Sequence, residues 1–308
     1  MHLYFGECQL LRERYAPLLA VDSELLAQAA QMAPARQDTF LAGRGLLKHA
    51  LYEHGLLPPH APLPPLQLGA LGRPYLPPSL QGKHAWDFNL SHSHKLLALC
   101  FGSGCVSVDV EVVNPKRWRP ALLERVYSVA ELEAIAKLRA IADANTNTDS
   151  TTSLAWALLA TKFWSMRECI VKSLGLSVFN SYLYCHPQEQ RISLDLRPMA
   201  AAASAASASR DETARAWLEA QARLSSISAE AQIRSLSLRA CMELCAVPWT
   251  APTYNDAVLT WLQLTPTENL FLSFNTAQGC STYELTPDQF APLQAQLQAS
   301  SYQVVLQA

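Results

Sequence analysis

The stretch GCVSVDVE at residues 104–111 is the most informative part of the chain. Its alternation of valine with polar residues predicts a β-strand, in which residues two apart point to the same face. Asp109 and Glu111 therefore share one face, and Val108 and Val110 point to the other. Carboxylates gathered on one face are oxygen ligands of the kind that Mg²⁺ prefers, together with the oxygens of a substrate phosphate. The stretch thus predicts a metal-binding strand.

A segment further along the chain, WSMRECIVK at residues 164–172, supplies another carboxylate and a lysine. Glu168 and Lys172 are four residues apart, so on a helix they lie on the same face. Taken alone, each pattern is more typical of a solvated surface, either a polar strand face or an exposed ion pair. Taken together, the two segments indicate a metal-assisted reaction on a phosphate-bearing substrate.

Length and composition limit the class of protein. The 308 residues suffice for one large domain or two medium ones, and half of them are hydrophobic. A formal net charge of -2 argues against broad nucleic-acid binding, which needs a strongly basic face. The sequence shows neither a signal-peptide pattern at residues 1–7 nor an apolar run long enough for a membrane span. The eight cysteines form no CxxC pair, which indicates free thiols in a reducing cytosol. We therefore expect a cytoplasmic protein that binds neither nucleic acid nor a membrane.

Hydrophobic spacing predicts helices in the first part of the chain and short strands after it. Residues 9–51 are largely helical in pattern, with Asp22 or Ser23 as the cap of the second helix. The proline-rich residues 55–65 predict an irregular connection. Strands are predicted at Leu66–Leu68, Phe88–Leu90, Leu96–Phe101 and Val106–Val112. Between the last two strands, Gly-Ser-Gly at residues 102–104 predicts a hairpin turn.

The second part of the chain predicts two helices joined by a polar loop. Ser128 is the expected N-cap of a helix over Val129–Ala140, with Glu131 completing a capping box. Residues 143–153 are polar and predict a loop. One long helix is then expected over Leu154–Leu174, ending at Gly175.

Residues 199–228 predict a surface insertion. They begin with an Ala/Ser-rich tract and continue with an amphipathic helical pattern over 210–225. The remaining sequence alternates like antiparallel strands at Ala257–Leu264, Leu270–Phe274 and Tyr302–Leu306.

Four segments, in this order, resemble the motifs of the 4'-phosphopantetheinyl transferases. They are Gly72-Arg73-Pro74, FNLSHS at 88–93, VDVE at 108–111 and WSMRECIVK at 164–172. The chain is most similar to the large, pseudo-dimeric class typified by the activator of surfactin synthetase, and the similarity extends over residues 1–195. The Ala/Ser-rich tract is not part of the family pattern.

The resemblance implies an α+β fold of two pseudo-symmetric halves, residues 1–112 and 113–308. Each half would consist of a small antiparallel sheet packed with a long helix, and the active site would lie in the cleft between them. The second half supplies what a partner subunit provides in the smaller class, so the resemblance also implies a monomer.

The activity implied by the resemblance is a Mg²⁺-dependent transfer. These enzymes move the 4'-phosphopantetheine arm of coenzyme A, their co-substrate, to a serine hydroxyl of an apo acyl or peptidyl carrier protein. The other product is adenosine 3',5'-bisphosphate, as in a synthase of holo-acyl carrier protein. Two alternatives stay open: a metal-dependent hydrolase of coenzyme A or nucleotide pyrophosphates, and a non-catalytic relative that only binds coenzyme A.

The resemblance also assigns the catalytic centre. Asp109, Glu111 and Glu168 match the metal ligands of the family, and Asp109, Glu168 and Lys172 match its catalytic residues. Lys172 would reach the pyrophosphate as a point charge. The general base is left open between Glu168, Glu111 and a metal-bound water.

The coenzyme A-binding residues implied by the resemblance are Arg36, Arg44, Arg73, Pro74, Ser91, His92 and Lys172. Ser91 and His92 would bind the 3'-phosphate, to which the first two arginines add charge. Arg73 and Pro74 would lie along the adenosine. Arg73 and Arg167 stand where the family often has lysine, and the planar guanidinium implies a different phosphate geometry.

Basic residues cluster directly after the predicted metal strand, and we expect an acidic carrier protein to dock there. The cluster consists of Lys116, Arg117, Arg119 and Arg125. Apolar contact would come from Val112, Val113 and Trp118. A solvated loop is the alternative interpretation.

Overall fold

The computed structural model has four layers, in the order helices, sheet, sheet, helices. It describes residues 1–81, 84–144, 150–176, 178, 182–195, 215, 219, 230–244, 256–263, 271–276, 279–283, 295 and 300–307. The mixture of helices and sheets confirms the predicted α+β class.

The elements follow one another along the chain. They are β1 (His2–Glu7), α1 (Cys8–Leu19), α2 (Ser23–Ala30), α3 (Pro34–Glu53), β2 (Gln67–Leu68), β3 (Pro74–Tyr75), α4 (Pro78–Gln81), β4 (Trp86–Ser93), β5 (Leu96–Ser103), β6 (Val106–Val112), a 3₁₀ turn (Pro115–Arg117), α5 (Pro120–Val126), α6 (Val129–Ala144), α7 (Ser150–Leu174), β7 (Tyr182–His186), β8 (Arg191–Asp195), β9 (Glu230–Ser237), α8 (Leu238–Leu244), β10 (Ala257–Gln263), β11 (Phe271–Thr276), β12 (Gly279–Tyr283) and β13 (Ser301–Gln307).

The strands form two large sheets and a two-stranded one. The five-stranded sheet has the order β12-β11-β1-β5-β4, and the six-stranded sheet has the order β6-β10-β9-β13-β8-β7. Strands β2 and β3 pair with each other. Each large sheet contains one parallel pair, β1 with β11 and β8 with β13, so the predicted antiparallel arrangement holds only for the other pairs.

The layers follow from the alternation of side chains along the strands. On β1, Leu3 and Phe5 face the second sheet, and Tyr4 faces α1 and α3. On β6, the valines at 106, 108, 110 and 112 join the core between the sheets, as predicted for the two at 108 and 110. Each fully buried Val, Leu or Phe contributes about 1.5–3 kcal/mol. The polar face of β6 therefore turns toward α7.

The long helices α3 and α7 cover the outer faces of the two sheets. In α3, Gly45 lets α1 approach closely, because a Cβ there would lie 2.7 Å from Cβ of Tyr15. At the end of α7, Gly175 has φ +73, and the N–H of Leu176 donates to the carbonyl of Val171 at 2.8 Å. This ending confirms the predicted helix stop.

The helix caps differ in part from the predictions. The N–H of Ser128 donates to the Glu131 carboxylate at 2.9 Å, which is the backbone half of the predicted capping box. The hydroxyl of Ser128 donates to the same carboxylate at 2.9 Å. Asp22 precedes α2, but its carboxylate forms no cap. It accepts hydrogen bonds instead from Lys48 Nζ and from the N–H of Leu63, each at 2.5 Å. A buried ammonium competes successfully for this carboxylate, because an unpaired buried charge is far more costly than an uncapped helix end.

Two predicted connections are wrong. Strands β5 and β6 do not form a hairpin, since they belong to different sheets and residues 104–105 carry the chain between them. A short glycine-containing turn permits either connection. The predicted loop over 143–153 is helical at both ends, because 143–144 belong to α6 and 150–153 to α7. Its middle, residues 145–149, lies outside the described residues.

The predicted boundary after residue 112 does not coincide with the division into sheets. Strand β6 precedes the boundary but pairs with β10 in the second sheet. Strands β11 and β12 follow it but belong to the sheet of β1. The pseudo-symmetry of two halves stays a prediction.

Most of the predicted insertion at 199–228 lies outside the described residues. Its two described members, Arg215 and Glu219, are helical, and the Glu219 carboxylate accepts a hydrogen bond from the N–H of Ala70 at 3.3 Å. The six cysteines whose side chains are described are all buried, and none of them is part of a disulfide, in agreement with the predicted reduced thiols. Across the described helices, none combines the length and the apolar character that a membrane span requires.

Candidate active site

Strands β4 and β6 are the neighbouring edges of the two sheets, and side chains link them in place of backbone pairing. Asn89, Ser91 and Ser93 of β4 accept hydrogen bonds from the N–H groups of residues 108, 110 and 112 at 3.1, 3.2 and 3.1 Å. We call these three side chains the polar ladder. They satisfy N–H groups of an edge strand that would otherwise be buried without partners. The ladder therefore fixes β6, and with it the two acidic residues, relative to β4.

Asp109 lies inside this junction and is only 1% exposed. Its Oδ1 accepts a hydrogen bond from Ser91 Oγ at 2.8 Å and another from Lys172 Nζ. Its Oδ2 is buried and has no hydrogen-bond partner among the described residues. A buried carboxylate oxygen without a donor is unfavourable, so this atom is open to a cationic ligand.

Glu111 is surrounded by three donors. Ser93 Oγ lies 2.8 Å from Oε2, and Arg117 Nη1 lies 2.9 Å from the same oxygen. The indole N–H of Trp164 donates to Oε1 at 3.1 Å. None of these three residues is among the predicted site residues. The sequence does hold a signal for Ser93: it is two residues from Ser91, and residues two apart on a strand share a face. Ser93 could therefore have been expected on the same side as Ser91.

Helix α7 brings Glu168 and Lys172 to the same place, as their spacing predicted. Lys172 Nζ contacts Asp109 and lies 4.0 Å from Glu168 Oε2, so the ammonium stands between the two carboxylates. Burial raises the pKa of Glu168, and the charges of Asp109 and Glu111 act in the same direction. Burial alone lowers the pKa of Lys172, but the neighbouring carboxylates outweigh it and the net pKa is raised. Lys172 therefore remains an ammonium at neutral pH.

The three carboxylates fit a hard cation by their chemistry. Among the described residues, no three acidic, histidine or cysteine side chains stand in an arrangement that would by itself hold a metal ion. Lys172 and Arg117 instead lie against Asp109 and Glu111. Asp109 Oδ2 nevertheless lacks a partner, and three carboxylates stand against only two cationic side chains, so a divalent cation with oxygen ligands would find an unsatisfied oxygen and a net negative charge here.

A comparison with protein families covers this part of the chain. The family model of the 4'-phosphopantetheinyl transferase superfamily matches residues 105–222, a span that contains Asp109, Glu111, Glu168 and Lys172. Over residues 105–222 the chain is similar to this superfamily. The superfamily acts on coenzyme A and carrier proteins, and the match indicates phosphopantetheinyl transfer in general. No curated protein sequence matches the chain.

Two predicted coenzyme A ligands, Ser91 and His92, lie on opposite faces of β4. Ser91 is buried, and its hydroxyl contacts Asp109, the N–H of Val110 and Lys172 Nζ, the last at 3.0 Å. These contacts differ from the predicted one with a phosphate, because they hold the hydroxyl inside the polar ladder. His92 is exposed. It stays the candidate for the 3'-phosphate.

Helix α3 packs against the His92-bearing face of β4 at Leu90, whereas His92 itself stays exposed. A Cβ at Gly43 would lie 3.4 Å from Leu90 Cδ1, and Leu90 shares its face with His92. The next residue on α3 is Arg44, whose guanidinium has no carboxylate partner among the described residues and whose pKa is lowered by burial. Such an arginine is suited to an anionic ligand. The other predicted arginine, Arg36, is exposed near the start of α3.

Arg73 is directed into the protein rather than toward a ligand. Its guanidinium is buried and donates to Asp87 Oδ2 and to the carbonyl of Lys172, each at 2.7 Å, and also to the carbonyl of Ser173. An arginine at the last carbonyls of a helix is favourable. Arg73 therefore fixes the final turn of α7, whereas the sequence predicted a contact with adenosine. Pro74 follows in β3, opposite Leu68.

Arg167 is also buried and does not reach the site. Its two terminal nitrogens each lie 2.5 Å from an oxygen of Glu131, and its guanidinium lies 5.1 Å from the ring centre of Tyr127. The arginine that stands where the family often has lysine therefore forms an ion pair that joins α6 to α7.

The predicted docking cluster is only partly available. Lys116 and Arg119 are exposed, whereas Arg117 pairs with Glu111. The three residues expected to provide apolar contact are buried: Val112, Val113 and Trp118. The indole of Trp118 donates to Thr161 on α7 at 3.2 Å, so it packs in the core rather than facing a partner.

Proposed function

We propose that this protein transfers the 4'-phosphopantetheine arm of coenzyme A to a serine hydroxyl of an apo acyl or peptidyl carrier protein. The observation that carries the proposal is the convergence of Asp109, Glu111, Glu168 and Lys172 at one junction inside the segment that matches the superfamily. In this reaction the serine oxygen bonds to the β-phosphorus of coenzyme A, and the bond from that phosphorus to the bridging oxygen breaks. The leaving group is adenosine 3',5'-bisphosphate.

The three carboxylates would hold Mg²⁺, with Asp109 presenting its unpartnered Oδ2. A bound divalent cation supplies Lewis-acid stabilisation of charge on the diphosphate. Lys172 supplies a second positive charge beside it, and its raised pKa keeps that charge in place at neutral pH. Ser91 of the polar ladder orients the Asp109 carboxylate by a hydrogen bond. Ser93 of the ladder and the Trp164 indole orient the Glu111 carboxylate in the same way.

Glu168 is the best placed group to take the proton of the carrier serine. It forms no hydrogen bond with the described residues, and its ion-pair partner Lys172 lies 4.0 Å away. Both oxygens of Glu111 already accept from donors. The raised pKa of Glu168 also brings its basicity closer to neutral pH, where a general base is most effective.

Coenzyme A would bind with its 3'-phosphate between His92 and Arg44. Arg44 follows Gly43 on α3, Gly43 approaches Leu90, and Leu90 shares its face of β4 with His92. The half-buried guanidinium offers an anion a charge with little competing solvent. We further propose a monomeric, cytoplasmic enzyme of the holo-acyl-carrier-protein synthase type.

The test is to incubate the protein with coenzyme A, Mg²⁺ and a panel of apo carrier proteins, and to weigh the carriers by mass spectrometry. We expect one carrier to gain a single phosphopantetheine. Cleavage of coenzyme A without a heavier carrier would show a hydrolase instead. Binding of coenzyme A without either product would show a non-catalytic relative.

A further inference from the structure

Arg117 is held rigidly beside the carboxylates by its local structure. It ends the 3₁₀ turn that follows β6, and Asn114 caps that turn by accepting from the N–H of Lys116 at 3.0 Å. Its guanidinium lies 5.1 Å from the ring centre of Trp118 and 4.6 Å from that of Trp164. Stacking against two indole rings limits the motion of the arginine and leaves the edges of its planar fork usable.

The two rings are themselves anchored. Trp118 donates to Thr161 of α7, and Trp164 donates to Glu111. The guanidinium therefore sits in a fixed notch between β6 and α7, with about a third of its surface exposed (32%). Among the described residues its ionic partner is Glu111, at 2.9 Å through Nη1. The other N–H groups of the fork have no described acceptor.

The charges of the junction show why a second cation is needed there. Three carboxylates face Lys172 and Arg117, which leaves one formal negative charge. A divalent cation would change this sum to one positive charge, and the two negative charges of the coenzyme A diphosphate would then bring it to one negative charge. Without Arg117 the loaded site would carry two uncompensated negative charges, at a partly buried position where such charge is unfavourable.

On the basis of the proposed function, we infer that Arg117 has two successive partners. In the metal-free protein it neutralises Glu111. Once a divalent cation takes Glu111, the guanidinium stays stacked between the two indole rings and its N–H groups bind the diphosphate of coenzyme A. Arg117 is therefore a substrate-binding residue that also limits metal affinity before coenzyme A arrives.

Removing Arg117 should have opposite effects on the two ligands, which a purely structural residue would not show. We would measure Mn²⁺ binding to the free protein by electron paramagnetic resonance, with Mn²⁺ as the probe for an oxygen-rich Mg²⁺ site. Coenzyme A binding at saturating Mg²⁺ would be measured by calorimetry. For Arg117→Gln we expect Mn²⁺ affinity to rise about two- to fivefold, since a competing ion pair is lost. Coenzyme A affinity should fall about tenfold or more, since a charge-assisted contact is lost.

The matched control is Arg119→Gln, which removes the same charge two residues away from an exposed position. It should change neither dissociation constant. Arg117→Lys should recover part of the coenzyme A affinity, because it restores the charge but not the stacked fork. Weaker binding of both ligands by Arg117→Gln, with a lowered melting temperature, would show that the arginine is only structural. Unchanged coenzyme A affinity would also overturn the inference. If the wild-type protein binds no coenzyme A, the proposed function fails as well, so the two failures are distinguishable.

Discussion

Substitutions of the neighbouring residues Ser91 and His92 on β4 should distinguish the role of the polar ladder from that of the coenzyme A site. Ser91→Ala removes a hydroxyl that contacts Asp109, Val110 and Lys172. The N–H of Val110 then stays buried without an acceptor, which costs about 1–3 kcal/mol. With the lost contact to Asp109, we expect the free energy of unfolding to fall by about 2–3 kcal/mol. His92→Ala changes an exposed side chain on the other face and should alter that free energy by less than about 0.5 kcal/mol.

The same two variants should differ in ligand discrimination. Ser91→Ala should weaken coenzyme A and dephospho-coenzyme A by equal factors, and should lower kcat about tenfold or more because Asp109 is less well oriented. His92→Ala should weaken coenzyme A about tenfold or more and leave dephospho-coenzyme A unchanged, because only the 3'-phosphate is lost as a partner.

Urea unfolding gives the stabilities, and calorimetry with the two ligands gives the affinities. The reasoning would be refuted if Ser91→Ala unfolds like the wild type and loses its preference for coenzyme A over dephospho-coenzyme A. That result would place the hydroxyl on the 3'-phosphate, as the sequence motif suggested. Equal losses for both ligands in His92→Ala would show that the histidine does not contact the phosphate.

Four further expectations concern the metal, the pH, the core and the carrier. Asp109→Asn keeps the side-chain shape but removes the charge, so transfer measured by mass spectrometry should be lost while circular dichroism is unchanged; full activity with millimolar Mg²⁺ would contradict the metal role. Because burial raises the pKa of Glu168, its ionisation opposes folding of the metal-free protein, and stability should fall as pH rises through that pKa. Mg²⁺ should offset this loss, so melting temperatures with and without Mg²⁺ should diverge as pH increases in the wild type but not in Glu168→Gln. Arg167→Met leaves a buried glutamate without its cation and should lower the free energy of unfolding by about 3–5 kcal/mol in urea, with transfer per folded molecule retained; an unchanged unfolding curve would speak against the ion pair. Charge reversal of Lys116 and Arg119 together should raise the KM for an acidic carrier, most strongly at low salt, and leave the KM for coenzyme A unchanged; a carrier KM that ignores salt would place docking elsewhere.

Local chemistry made several elements predictable. The end of α7 at Gly175 depends on residues close together in sequence, and so does the position of Asp109 and Glu111 on the same face of β6. The pairing of Glu168 with Lys172 follows from helix geometry in the same way. These features need no knowledge of the rest of the fold, so the residue pattern is sufficient.

The features that were not predicted depend on partners far along the chain. The guanidinium of Arg167 is buried because Glu131 meets it across α6 and α7, and Arg73 is buried because it reaches the end of α7. A single sequence shows the arginines but not the acceptors that fold against them. The predicted role of Ser91 differs from its observed contacts for a simpler reason. The family motif assigned Ser91 and His92 to the same phosphate, although neighbouring residues of a strand point to opposite faces.

The interleaving of the two sheets has a consequence for dissecting this protein into pieces. A fragment ending at residue 112 would retain β6 without β10, and β1 without β11. The complementary fragment would carry β11 and β12 with no sheet of their own to join. Each piece alone would expose long unpaired strand edges and should aggregate when expressed. Co-expression of both pieces would let each strand find its partner, so split-protein complementation, rather than truncation, is the suitable way to study the halves separately.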